Sequence, residues 1–152
     1  MSESTMKVFK QLFSTLILYR HNIHILHWKC CGNDFEAVHT HMDKYLDKFN
    51  GLIDGIGELM MELGLDPLCL CSCMKELEAE EDKKHMCVDG DANYTSALVY
   101  GYIDTMFHDL MDLYKKISYD AAIPSDVKSI LDEHIQWLRL EAEYKLKRYM
   151  IK

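Results

Sequence analysis

The chain has 152 residues, of which 49% are hydrophobic and 28% are charged, so it can bury a core of its own and is too apolar to be disordered. Acidic residues outnumber basic ones by 25 to 17, and a net charge of −8 argues against general binding to a phosphate backbone. Few prolines and glycines, together with long runs of helical periodicity, predict an all-α fold. We predict one domain over residues 1–152.

The first residues, MSESTMKVFKQLF, have no basic segment, solid apolar run or small-residue cleavage motif of the kind that marks a secretory signal. No apolar run in the sequence reaches the roughly 20 residues that a membrane-spanning helix needs. We therefore expect a cytoplasmic protein with no membrane partner.

Apolar residues that recur at three- and four-residue steps predict four long helices. These cover about residues 5–30, 35–63, 93–118 and 125–149. The second helix is expected to begin after Gly32, whose backbone freedom suits a helix end, and to stop before Pro67. Phe35, Leu98 and Ile130 fall on the apolar stripes of the second, third and fourth helices. Residues 65–92 are predicted to form a long crossover with a short helix in MKELEAEED, as a four-helix bundle requires when its second and third helices run parallel.

The second predicted helix carries two pairs of metal-ligand side chains, His39 with Asp43 and Asp54 with Glu58. A spacing of four residues places the members of each pair on one helix face. From residue 39 to residue 54 the helix turns in steps of about 100° and returns to within about 60° of its start, so both pairs share one stripe. Asp43 and Asp54 are nevertheless about 16 Å apart along the axis, too far for one ion.

A second copy of this helix completes the site. If two copies pack antiparallel about a two-fold axis near Lys48, the first pair of one copy faces the second pair of the other, and symmetry makes two such sites. If the chain reverses at Gly32, His27 of the first helix comes level with His39. Imidazoles and carboxylates are ligands that iron, zinc and manganese accept. The spacing therefore predicts a metal site shared across a dimer interface, formed by His27, His39, Asp43, Asp54 and Glu58.

Other interpretations of these residues remain open. A rim of charged side chains at a helix–helix interface would explain the stripe without a metal, although carboxylates are costly to bury unless they are paired or bind a cation. His21 and His24 could add ligands to His27 or could be solvated. His41 points about 200° away from His39 and is expected to be exposed.

Three glycines within the second helix each lower its stability by up to about 1 kcal/mol relative to alanine. These are Gly51, Gly55 and Gly57. They predict either the close approach of another helix, for example at a dimer axis, or a loosely ordered half-site.

Six cysteines in an intracellular chain are expected to be thiols rather than disulfides. They are Cys30, Cys31, Cys69, Cys71, Cys73 and Cys87. The spacing C-x-C-x-C in the crossover is not that of common zinc sites, so ordinary packing is expected, with a thiolate site that includes Cys87 and His85 as the alternative. Cys30 and Cys31, next to Trp28, could be sensitive to peroxide.

The stretch from residue 27 to residue 58 resembles the metal-site signature of Dps proteins, small relatives of ferritin. That signature has His-Trp, a glycine, an aromatic residue, His and Asp four apart, then Asp and Glu four apart. The matching residues, without gaps, are His27, Trp28, Gly32, Phe35, His39, Asp43, Asp54 and Glu58. The resemblance covers nearly the whole chain, more weakly after residue 65. The chain departs from the pattern at Gly55, Gly57 and Leu59.

This resemblance implies a ferritin-like four-helix bundle that assembles as a hollow dodecamer, oxidises Fe(II) preferably with hydrogen peroxide and holds ferric iron inside. Iron is then the expected metal, and the five donors are both its ligands and the catalytic residues. One subunit would supply His27, His39 and Asp43, and its partner Asp54 and Glu58. Trp28 would take up oxidising equivalents beside the site. The alternative is a ferritin-like metal-binding or structural module of a small oligomer that stores no iron.

Two further features bear on these expectations. In bacterioferritin a glutamate ligand stands three residues before the histidine that His134 resembles, and this chain has Leu131 there, which favours the shared site and a structural His134. Basic residues cluster at the C-terminus, where they complement a helix dipole. They are Lys145, Lys147, Arg148 and Lys152. Direct DNA binding is not expected.

Overall fold

The computed structural model describes residues 1–79 and 86–151. Its elements are α1 (Glu3–Lys29), α2 (Phe35–Glu62), α3 (Leu70–Glu78), α4 (Ser96–Ser118), α5 (Ser125–Leu140), a π-helical turn (Glu141–Lys145) and α6 (Leu146–Tyr149). α1 packs against α2, α3 and α4, and α4 packs against α5 and the π-helical turn. The predicted all-α bundle with a crossover between its second and third long helices is therefore confirmed.

The core lies between the four long helices and is built from the apolar stripes that the sequence predicts. Its largest fully buried side chains include Phe9, Tyr19, Tyr45, Phe49, Phe107 and Tyr114. Leu131 is 0% exposed and fills the interior. Leu98, Ile130 and Phe35 have the periodicity of the apolar stripes but are exposed in the single chain, so the prediction that they are buried was wrong.

The turn between α1 and α2 is fixed by backbone contacts with a distant segment. Gly32 has a φ of +117°, which confirms the predicted helix end at a residue without a Cβ. Next to it, the amide of Cys31 donates a 2.9 Å hydrogen bond to the carbonyl of Tyr94, and the amide of Tyr94 donates a 3.0 Å bond to the carbonyl of Lys29. The end of the crossover is thus tied to the end of α1.

The short helix of the crossover begins earlier than the sequence predicted. α3 starts at Leu70, after Cys69 in extended conformation, and so takes in the cysteine-rich segment, while residues 80–82 of the predicted helix lie outside the described residues. Cys73 is buried in the core, and this packing against α1 draws the segment into the helix. All six cysteines are free thiols, as predicted. His85 of the alternative thiolate site lies outside the described residues.

The close approach that the glycines predict is found at Gly55. A methyl group there would lie 3.0 Å from Cε1 of His134 on α5. Burial, together with nearby Lys48, lowers the pKa of His134 to about 4, so the ring is neutral, and its Nδ1 is hydrogen-bonded to the hydroxyl of Tyr114 at 2.8 Å. His134 is therefore structural, and the approaching helix belongs to the same chain. Gly51 has open space around its Cα, and packing within one chain does not explain it.

Across the described part of the chain, no helix combines the length and the apolarity needed to cross a bilayer.

Alanine substitutions at Gly101 and at Gly55 distinguish the effect of helix propensity from the effect of packing. We expect Gly101→Ala, which places a methyl in open space on α4, to raise the free energy of unfolding by about 0.5 to 1 kcal/mol through helix propensity. Gly55→Ala is expected to gain less or to destabilise, because its methyl presses on a ring held by Tyr114. Chemical denaturation of both variants measures the difference, and an equal gain in both would contradict the packing.

Candidate metal centre

The hairpin of α1 and α2 brings two histidines face to face. His27 lies in the last turn of α1 and is nearly buried, and His39 lies in the second turn of α2. Their imidazole rings stack with centroids 3.6 Å apart and planes inclined by 21°. The reversal at Gly32 therefore places the two rings level, as the sequence argument required.

Reciprocal hydrogen bonds determine the tautomers of both rings. Nδ1 of His27 lies 2.9 Å from the carbonyl oxygen of His39, and Nδ1 of His39 lies 2.8 Å from the carbonyl oxygen of His27. A carbonyl can only accept, so each Nδ1 carries a proton, and Nε2 is the ring nitrogen left to bind a metal. The His27 carbonyl is available because the amide of Cys31, four residues on, donates to Tyr94 instead.

Asp43 joins the two rings to form a three-residue group. Its Oδ1 lies 3.5 Å from Nε2 of His27, and one ligand atom from each of His27, His39 and Asp43 lies within 4.8 Å of the others. The Asp43 side chain is 59% exposed, so the group opens to solvent. Two histidines and one carboxylate that leave coordination positions open are typical of non-haem Fe(II) sites.

Asp54 and Glu58 are not part of this group in the single chain. Both are exposed on α2, further along the helix, where they line a groove of about 560 Å³. The rest of that groove has a third carboxylate, Glu62, and an apolar part formed by Phe13, Ile53, Gly57, Met61 and Pro67. The single chain therefore offers two separate groups, one with three donors and one with three carboxylates beside an apolar surface.

The other histidines of α1 do not extend the group. His24 stacks on Trp28 with centroids 4.3 Å apart, and its ring centroid is 6.2 Å from that of His27. Trp28 is 56% exposed, and His21 is exposed as well. Within the described residues, the donors that converge are those of His27, His39 and Asp43.

The prediction that His41 is exposed was wrong. Its ring is half-buried and its Nδ1 lies 2.9 Å from the hydroxyl of Tyr100 on α4. Burial, with Lys44 and Lys145 nearby, lowers the pKa of His41 to about 4. A helix with a single buried face would expose His41, but α2 contacts α1 on one side and tyrosines of α4 and α6 on another. No motif in the sequence indicates this second contact.

The helices and their order define a ferritin-like four-helix bundle. A Dps protein from Bacillus brevis superimposes with a TM-score of 0.82 at 17% identity, covering 99% of this chain and 100% of that chain. A Dps protein from Vibrio cholerae O1, described as a member of a broad superfamily of ferritin-like diiron-carboxylate proteins, gives 0.82 at 15% identity, covering 98% and 90%.

Sequence comparison leads to the same group of proteins. A DNA protection during starvation protein of Streptococcus suis strain P1/7 is 26% identical over 144 residues, covering 88% of this chain and 80% of that protein. One from Helicobacter pylori strain J99 is 28% identical over 81 residues, covering 53% and 56%. No protein-family model matches the chain. The resemblance to Dps proteins is confirmed both in sequence and in fold.

The three-residue group makes a direct prediction for metal affinity. His39→Ala removes one ligand and one of the two hydrogen bonds that orient His27, so we expect Co(II) to bind about 10- to 100-fold more weakly. Anaerobic Co(II) titration, followed by visible absorption, measures the affinity. His21→Ala, an exposed histidine of the same hairpin, is the matched control. Equal affinities for the wild type and His39→Ala would show that the stacked rings do not bind metal.

Proposed function

We propose that this protein is a cytoplasmic Dps-like mini-ferritin that binds Fe(II), oxidises it preferably with hydrogen peroxide and stores the ferric product, so protecting the cell against oxidative damage. The observation that carries the proposal is the pair of reciprocal hydrogen bonds between His27 and His39. These bonds orient both rings beside Asp43 before any metal arrives. Metal-binding histidines are typically oriented in this way, by a hydrogen bond from the other ring nitrogen to a backbone carbonyl or a carboxylate.

The proposed site is completed by a second copy of the chain. With α2 helices packed antiparallel about a two-fold axis, Asp54 and Glu58 of one subunit face His27, His39 and Asp43 of the other. The apolar groove beside Asp54 and Glu58 supports this arrangement, because a partner helix would remove it from water. Each pairing forms two sites, and further self-association would build the hollow dodecamer that the resemblance implies.

The five proposed ligands suit iron as a substrate that binds as Fe(II) and is released as Fe(III). The two imidazoles are uncharged as ligands, and the three carboxylates from the two subunits carry three negative charges against the two positive charges of a ferrous ion. This excess of negative charge favours oxidation of the ion to the ferric state. Hard carboxylate oxygens bind the ferric product more strongly than imidazoles do. Hydrogen peroxide takes two electrons, one from each of two ferrous ions, and with two protons becomes two molecules of water. Open coordination positions and the exposed Asp43 leave access for both reactants.

Fe(II) oxidation and particle size, measured on one preparation, test the proposal. Fe(II) is added anaerobically, followed by hydrogen peroxide, and stopped-flow absorption records oxidation while light scattering records size. For the wild type we expect rapid oxidation in a large assembly. His39→Ala removes a ligand from one half-site and Glu58→Ala removes a ligand from the other, so in both variants we expect oxidation no faster than in a sample without protein. Glu133→Ala, an exposed carboxylate on α5, is the matched control and should keep the wild-type rate.

Other outcomes would contradict parts of the proposal. Binding without oxidation in a dimer-sized particle would favour the ferritin-like metal-binding module of a small oligomer and rule out iron storage. A loss of oxidation in His39→Ala but not in Glu58→Ala would show that the site is not shared between subunits. If Fe(II) does not bind at all, the five residues form only a rim of charged side chains at a helix–helix interface.

We further propose that protection does not involve direct binding to DNA. In the C-terminal basic cluster, Lys145 pairs with Glu141 at 3.6 Å and Lys147 pairs with Glu143 at 2.8 Å. These cations are therefore partly neutralised within their own chain. We expect no retarded band in a gel shift with duplex DNA at low ionic strength. A retarded band that disappears as salt is raised would contradict this expectation.

A further inference from the structure

The end of the crossover lies along α1, beside the turn that carries the first metal-group histidine. We call this segment, residues 86–94, the strap. Its first residues are held by Asn22 of α1, whose Nδ2 donates a 2.7 Å hydrogen bond to the carbonyl of Met86. The Oδ1 of Asn22 accepts a 3.1 Å hydrogen bond from the amide of Val88. The Asn22 side chain is buried, so both of its polar groups are used to fix the strap on α1.

Tyr94 holds the other end of the strap. Its amide donates a 3.0 Å hydrogen bond to the carbonyl of Lys29, and its carbonyl accepts a 2.9 Å bond from the amide of Cys31. The side chain of Tyr94 is buried, and its hydroxyl donates a 2.7 Å hydrogen bond to the carbonyl of Asp89. Its ring packs edge to face on Tyr102, with centroids 5.5 Å apart. The side chain therefore fixes the two backbone groups that meet the end of α1.

The attachments of the strap lie on both sides of His27 along the chain. Asn22 precedes His27 on α1, and Cys31 follows it just after the helix ends. Between them the strap stays close to α1, because a Cβ on Gly90 would lie 3.6 Å from Cδ1 of Ile25. The turn of α1 that carries a metal ligand is thus covered by a segment that supplies no ligand itself.

The contact with Tyr94 decides what the carbonyl of His27 can accept. In a continuing α-helix the amide of Cys31 would donate to this carbonyl, four residues earlier. Instead α1 ends with Cys30 in extended conformation, with a ψ of 146°. The carbonyl of His27 accepts a 2.8 Å hydrogen bond from Nδ1 of His39. If the bonds to Tyr94 opened, the amide of Cys31 would be free to compete with the His39 ring for the same oxygen.

We infer that Tyr94 is a positioning residue for the metal centre, because it holds the amide of Cys31 away from the carbonyl that orients His39. The inference rests on the proposed function for the identity of the metal, whereas the orientation of His39 is a property of the metal-free chain. The coupling is reciprocal. If opening of the contact at Tyr94 weakens metal binding by a given factor, bound metal suppresses that opening by the same factor.

NMR of the metal-free full chain with ¹⁵N-labelled histidine tests the positioning directly. A ring N–H that is bonded to a carbonyl exchanges slowly with water, and loss of a resonance in His39→Ala identifies the Nδ1–H of His39. We expect Tyr94→Ala, which removes the hydroxyl and the ring, to lose this resonance through faster exchange. Tyr94→Phe keeps the ring and is expected to restore it. Tyr114→Ala, which truncates another buried tyrosine of the bundle, is the matched control and should keep it.

Metal binding provides two further measurements. In anaerobic Co(II) titrations we expect about 10-fold weaker binding by Tyr94→Ala, the usual effect of removing a group that orients a ligand, and wild-type affinity in Tyr114→Ala. In the wild type, saturation with diamagnetic Zn(II) is expected to slow hydrogen exchange of the Cys31 and Tyr94 amides by about the same factor. This second measurement needs no substitution, so it holds even if Tyr94→Ala fails to fold.

Thermal melts show which variants are folded, and the outcomes then separate. A folded Tyr94→Ala variant that keeps both the His39 resonance and the Co(II) affinity would overturn the inference. Zn(II) that binds the metal group and leaves the exchange of the Cys31 and Tyr94 amides unchanged would overturn it as well. Loss of the His39 resonance in Tyr94→Ala, together with a wild type that does not oxidise Fe(II), would overturn the proposed function alone.

Discussion

The candidate site depends on one exchange of hydrogen bonds, in which each of two histidines donates to the backbone carbonyl of the other. Because the carbonyls belong to α1 and α2, the contact that sets the tautomers also locks the register of the two helices. A slip by one helical turn would break both bonds and separate the rings. The stacked pair is therefore a packing element of the hairpin, and the same geometry presents both rings to the proposed metal site.

The four long helices and the turn at Gly32 could be predicted from the sequence because local periodicity and backbone freedom determine them. The approach of His27 to His39 could also be predicted, since it follows from one turn between two regular helices. The hydrogen bonds to the carbonyls could not, because they depend on how the two rings meet in space. The bond to the His27 carbonyl also goes with a Cys31 amide that leaves α1 for Tyr94, more than sixty residues away. No local pattern contains that partner.

Other features depend on contacts that a single-face description of a helix omits. His41 is covered by Tyr100 because α2 has neighbours on two sides. Gly55 lowers the helix propensity of α2, and the structure explains it by the close contact of His134, which leaves little room for a Cβ. Leu98 and Ile130 have the right periodicity but lie where one chain provides no partner. Periodicity indicates which residues can be buried together, and the arrangement of the bundle decides which of them are.

The three donors of the metal group all lie between residues 27 and 43, within one helical hairpin. Contacts between residues close in sequence have a low entropic cost of loop closure, so they can form before the long-range contacts of a bundle. A cation bound there would stabilise the hairpin ahead of the crossover and α4, and would bias the order in which the chain folds. The proposed half-site would thus act as a local folding unit as well as a binding site, whereas in the proposed dimer Asp54 and Glu58 acquire their partners only when a second chain is already folded.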